Sequence, residues 1–219
     1  MGTVISLSDH RPEPRRNGAG PRPRVTFAFD LASPWTYLAA ERVDRLFVGV
    51  HWRPAYAAIL PGLLAVADPA GTAGRDAAER AAAERRASEL RLPLVWPDRT
   101  PDGRQAMRVA ALAAEHDRAA PFVLAAGRLA FCGGYDLDDP QTIAEAAAAA
   151  GLGLGDTLAA AADLGRDGTL EDAARRLMAQ GADELPVLVV GRTLFAGEHR
   201  IAEAAAAVLG TGPRRQTLG

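Results

Sequence analysis

Apolar and polar positions first fall into a regular period at Val25, where Val25, Phe27 and Phe29 alternate with Thr26, Ala28 and Asp30. A period of two marks a β-strand, because successive side chains point to opposite faces. Leu31-Ala32-Ser33-Pro34 breaks that rhythm. Ser33 suits a helix N-cap and Pro34 the first helical position, where a missing N–H costs nothing. Tyr37, Leu38, Val43, Leu46 and Phe47 then line one face of a helix that Gly49 stops. Val50-His51-Trp52-Arg53, ahead of Pro54, reads as a second short strand. The opening unit is strand, helix, strand.

From Ala55 to about Gly168 the rhythm is helical and no strand pattern occurs. The spacing predicts helices over Asp76 to Leu90, Gln105 to Ala119 and Pro121 to Phe131. A fourth runs from Asp139-Pro140 through five alanines to Gly151. Alanine favours helix but offers little apolar area, so packing falls to the scattered Leu, Ile and Val. Thr169 is placed to cap a helix ending at Gln180. Leu185-Pro186 precedes the buried-strand run Val187 to Val190. Gly191-Arg192 suits a primed two-residue hairpin turn, and Thr193-Leu194-Phe195 returns as the partner strand. A last helix covers Glu198 to Leu209.

The order βαβ, helical block, αββα predicts an α/β fold: a mixed sheet made by the two ends, with the middle as a helical domain. Residues 25–54 and 169–209 form the discontinuous sheet domain, 55–168 the helical insert and 1–24 a flexible tail.

Composition narrows the function classes. The 219 residues are 48% hydrophobic and 24% charged, with a formal net charge of -2. Such a balance gives no electrostatic footprint for nucleic acid. All 25 basic residues are arginine, so single arginines are weak functional signals. The one cysteine, Cys132, excludes an intramolecular disulfide, a CxxC redox pair and a cysteine-based zinc site. No apolar run approaches the roughly 20 residues of a membrane span, and the first 24 residues carry no apolar leader core. A cytoplasmic location is expected, with no membrane partner and no metal.

Two places could carry chemistry. Ser33 at a helix mouth sits among unpaired N–H groups in the positive field of the helix dipole, where an anion is stabilised. Its hydroxyl can cap the helix, or donate a hydrogen bond to a bound thiolate and lower that thiol's pKa from about 8.5. Pro186 at a strand entrance is an ordinary edge residue, or, if cis, a turn that frees the Leu185 backbone to pair with an extended ligand.

Phe29-Asp30-Leu31-Ala32-Ser33-Pro34-Trp35-Thr36-Tyr37-Leu38 resembles the opening motif of the DsbA-like group that contains 2-hydroxychromene-2-carboxylate isomerases and kappa-class glutathione transferases. The likeness continues at Trp52-Arg53-Pro54, Leu92-Pro93 to Pro97 and Ala106-Met107-Arg108. It closes with Gly181 to Val187 and Phe195-Ala196-Gly197-Glu198-His199-Arg200. The resemblance implies a thioredoxin-like fold with an inserted all-helical domain, and glutathione or another low-molecular-weight thiol as cofactor. It implies that Ser33 bonds the thiol sulfur and that Leu185, ahead of Pro186, pairs with the cysteinyl backbone. The substrate would be a small conjugated or aromatic compound, and a homodimer is common in such families. His199 stands where the family usually places an aspartate for the γ-glutamyl ammonium, with Glu198 beside it. Trp35 and Phe195 would wall the acceptor site, or pack in the core. The alternative is a non-catalytic or vestigial DsbA-like binding protein. Cys132, His116 and His51 read as structural or solvated.

Overall fold

The computed structural model describes residues 23–60, 69–99 and 101–210. The tail expected before Val25 therefore lies largely outside the described residues.

Strand β1 (Val25–Phe29) is central and β2 (His51–Pro54) lies parallel to it, with Thr26 opposite His51 and Phe29 opposite Pro54. On its other side β1 pairs antiparallel with β3 (Val187–Val190), and β3 with β4 (Thr193–Ala196), giving the order β2-β1-β3-β4. Pro54 is tolerated because β2 is an edge strand. The β3–β4 turn has positive φ at Gly191 (61°) and not at Arg192, the II′ arrangement that matches strand twist.

Alternation along β1 splits the core. Phe27 and Phe29 stack at 5.9 Å between ring centroids and meet Trp52 edge-on, while Ala28 faces a second cluster with Val187, Leu177 and Leu60. The first face is covered by α1 (Pro34–Leu46) and the second by α7 (Gly165–Ala179). The intervening helices are α2 (Pro69–Leu90), α3 (Arg104–Glu115), α4 (Ala119–Phe131), α5 (Pro140–Ala149) and α6 (Leu154–Ala162). Their apolar faces join the same cluster as Phe27 and Phe29. One turn of 3-10 helix at Glu198–Arg200 leads into α8 (Ile201–Gly210).

Several helix boundaries differ from expectation: α2 begins at Pro69 instead of Asp76, α3 ends at Glu115 instead of Ala119, and α6 is an additional helix that the spacing does not predict. Helix α7 begins at Gly165, so Thr169 lies inside it and is not its cap. The Asp163 carboxylate accepts the Gly165 N–H at 3.0 Å, satisfying an orphan donor at the observed helix start. Helix α6 has no strong sequence signal because Gly151, Gly153 and Gly155 crowd its start. Thr157 steadies that start by donating its hydroxyl to the Gly153 carbonyl at 2.8 Å.

Candidate functional site at one end of the sheet

The strand registers decide which loops meet. Ala28 lies opposite Val187, and Val187 opposite Ala196. The chain leaving β1 toward Ser33, the chain entering β3 through Leu185-Pro186, and the chain leaving β4 toward His199 thus emerge at one end of the sheet. The segment after β2, Ala55 to Leu60, joins them there.

Ser33 is the N-cap of α1, with extended backbone (φ -100°, ψ 128°), and its Oγ accepts the Trp35 N–H at 3.3 Å. That bond uses an oxygen lone pair and leaves the hydroxyl hydrogen available. Among the described residues nothing accepts it. Capping and thiolate bonding are therefore compatible roles for one hydroxyl.

The Leu185-Pro186 peptide bond is cis. Among the described residues, the Leu185 N–H and carbonyl have no hydrogen-bond partner, while the Pro186 carbonyl accepts the Gly197 N–H at 2.8 Å. Leu185 is buried, so its backbone groups are the kind that ordinarily find a partner. An unpaired N–H and carbonyl are the groups that strand addition uses.

Asp30 went unnoticed in the sequence, where it passes for the polar member of an alternating strand. It is 6% exposed. One carboxylate oxygen accepts the Ala32 N–H at 3.0 Å and the other the Ala57 N–H at 2.8 Å. Asp30 therefore ties the Ser33 loop to the turn after β2, and burial pushes its pKa above the usual carboxylate value despite those two bonds.

The remaining expected residues separate. Trp35 is half-buried, and its indole N–H donates to the Glu79 carboxylate of α2 at 3.2 Å, so it lies at the site's margin. Phe195 is 4% exposed within the main core, with the Arg200 guanidinium 5.2 Å from its ring centroid. Its ring is core packing and does not line an open cleft. Glu198 is 2% exposed and turned inward, bonded by Arg86 at 2.7 Å and by Arg42. A carboxylate held by two guanidinium groups has little capacity left for a ligand ammonium. His199 is exposed.

Cys132 ends α4, where its thiol donates to the Tyr37 hydroxyl at 3.0 Å and Tyr37 donates to the Pro93 carbonyl at 2.9 Å. His51 pairs with Thr26 at the opposite end of the sheet, lining a surface cleft of about 310 Å³ with Asp44 and Asp117. His116 is exposed at the end of α3.

The chain matches one family model, the DSBA-like thioredoxin domain, over residues 24–208. The chain belongs to that family. No curated protein sequence matches it significantly. Among solved structures it is similar to a 2-hydroxychromene-2-carboxylate isomerase, with a TM-score of 0.71 and 18% identity over 85% of this chain and 94% of that one. It is also similar to the cytosolic disulfide reductase DsbM from Pseudomonas aeruginosa with GSH, with a TM-score of 0.58 and 15% identity over 85% of this chain and 98% of that one. At such identities the likeness is one of fold. The family's thioredoxin-like architecture, carrying an inserted set of helices, is the architecture of this chain. No described helix is long and apolar enough to cross a membrane.

Proposed function

We propose that this protein is a thiol-dependent isomerase or transferase of the 2-hydroxychromene-2-carboxylate isomerase type, acting in the cytoplasm on a small conjugated or aromatic compound. The observation that supports it is that the strand registers bring the donor-ready Ser33 hydroxyl and the unpaired Leu185 peptide to the same end of the sheet. A bound low-molecular-weight thiol, glutathione or another, would supply the nucleophile that the chain's own cysteine, at the end of α4, is not placed to supply. Ser33 would donate its hydroxyl hydrogen to the sulfur and hold it ionised, helped by the α1 dipole. Leu185 would orient the thiol by pairing with its backbone, and Trp35 would flank the acceptor. A dithiol mechanism is excluded by the cysteine count.

The second reading, a non-catalytic binding protein on the same fold, is favoured by one observation: Glu198 is engaged by Arg42 and Arg86.

Thermal unfolding with millimolar glutathione, and separately with other small thiols, tests the two. A site saturated about 100-fold adds about 2.7 kcal/mol of stability. No shift with any thiol would overturn the enzymatic reading. In the thiol-bound protein, Ser33→Ala should lower the thiolate absorbance at neutral pH with little change in affinity; unchanged absorbance reduces Ser33 to a cap.

A further inference from the structure

The cleft at the far end of the sheet, about 310 Å³, has walls from the end of α1, the start of β2 and the turn between α3 and α4. It is about twice the roughly 150 Å³ that holds a benzene ring, so a molecule of amino-acid size fits.

Three backbone and side-chain donors stand unused along it. Trp52 is 7% exposed and packs edge-on against Phe27 at 4.9 Å, yet its indole N–H has no acceptor among the described residues. A buried indole ordinarily finds one. Its nitrogen is not sealed in either: among the described residues, Arg166 Nε is the enclosed side-chain polar atom without a hydrogen bond. Trp52 lines the cleft, and its N–H opens there. Helix α4 also starts at the cleft, and the N–H groups of Ala119 and Ala120 have no partner among the described residues. The N-cap, Arg118, gives them no side-chain bond. Such a helix start favours an anionic oxygen.

Asp44 and Asp117 line the same cleft, and neither carboxylate has a hydrogen bond or ion pair with a described residue. Burial, then Arg53 and Arg24, push the His51 pKa down while Asp117 opposes them, so at neutral pH the imidazole adds no charge. Two acids are thus balanced by two arginines that have no ion pair with a described residue.

We propose that this cleft binds a free amino acid with an apolar side chain. Its ammonium sits between Asp44 and Asp117, its carboxylate on the Trp52 indole and the first N–H groups of α4, and its side chain against Phe47 and Val50. Donors, acceptors and balanced charge suit a zwitterion. A simple amine leaves the donors unused, and a simple carboxylate meets two like charges. The inference is independent of the thiol site, and its test needs no thiol.

Proton–nitrogen correlation spectra of the labelled full chain, titrated at low salt with L-leucine, isocaproate or isoamylamine, provide the test. The last two are leucine without its ammonium and without its carboxylate. Trp35→Phe and Trp96→Phe, at partly exposed rings, identify the Trp52 indole signal by elimination. Leucine should shift that signal and bind at least about tenfold tighter than either analogue. Asp117→Asn should weaken leucine about tenfold without weakening isocaproate; asparagine tolerates the left-handed backbone that Asp117 holds, at φ 56°. A Trp52 signal unmoved by leucine would overturn the site. Isoamylamine binding as tightly as leucine would overturn the carboxylate's place, and leucine binding unchanged in Asp117→Asn would overturn the ammonium's.

Discussion

Around the sheet the core is built from large side chains, Phe27, Phe29, Trp52, Leu38 and Leu188, whereas the helical block buries Ala106, Ala110, Ala113, Ala126, Ala130 and Ala146 beside a few larger residues. The first region gains stability from the area each side chain removes from water. The second gains it from close helix approach, as at Gly127, where a Cβ would already sit 3.4 Å from the Tyr37 ring. Volume changes should therefore act in opposite directions. Truncation harms the sheet side, and enlargement harms the block.

The largest expected effect tests the sheet side. Phe29→Ala should cost about 4 kcal/mol, the usual toll for a buried phenylalanine, in denaturant unfolding. A loss below about 1 kcal/mol would mean the sheet is not the area-dominated half.

Next comes the polar tie that joins the block to the helix on the second face of the sheet. Arg108 on α3 is 7% exposed and grips Asp167 of α7 through two nitrogens at 2.7 and 2.8 Å, with a third bond to the Ala161 carbonyl. Arg108→Ala should cost about 3 kcal/mol, because it leaves a partly buried carboxylate with only the Tyr56 hydroxyl at 2.7 Å and the more distant Arg104 at 4.0 Å. A neutral result would show that the alanine-rich helices hold without it.

The block's packing is tested more gently by Ala110→Leu, where overpacking should cost about 2 kcal/mol. Stabilisation instead would mean the interhelical space is underfilled, and the contrast with Phe29 would collapse.

The smallest effects are those of pH, and the two regions should differ in sign. The Arg108 guanidinium, more than any other cause, holds the Asp167 pKa below its usual value. Its contribution is thus present above the unfolded pKa near 3.8 and lost as pH falls through the folded value. Asp30 is raised by burial, so its contribution is present below that value and lost as pH rises through the folded pKa. Compared with wild type, Asp167→Asn should be most destabilised at neutral pH, and Asp30→Asn relatively least so. Stability measured at several pH values checks both slopes; parallel slopes would sink the contrast.

These residues also show how far the sequence could be read. The alternation Val25-Phe27-Phe29 and the Ser33-Pro34 start are local signals, and β1 and α1 begin where they predict. The start of α7 could not be read, because two glycines in its first turn mask it and the group that serves its N-terminus, Asp163, lies outside the helix. Asp30 looked like the solvent side of a strand. Its Ala32 partner is local, but the Ala57 N–H reaches its carboxylate from the segment after β2, which only the tertiary structure brings there.

The same division runs through the candidate site. The hydroxyl at a helix mouth and the proline ahead of a hairpin are visible as residue types, since capping and strand entry depend on immediate neighbours. Their coming together follows from the pairing of Ala28 with Val187, a contact between positions 159 residues apart in number. Whether an acid is free is equally nonlocal. Glu198 reads as an open carboxylate beside His199, yet Arg42 and Arg86 neutralise it. Local chemistry could name the participants; only the folded arrangement of charge and space could assign their roles.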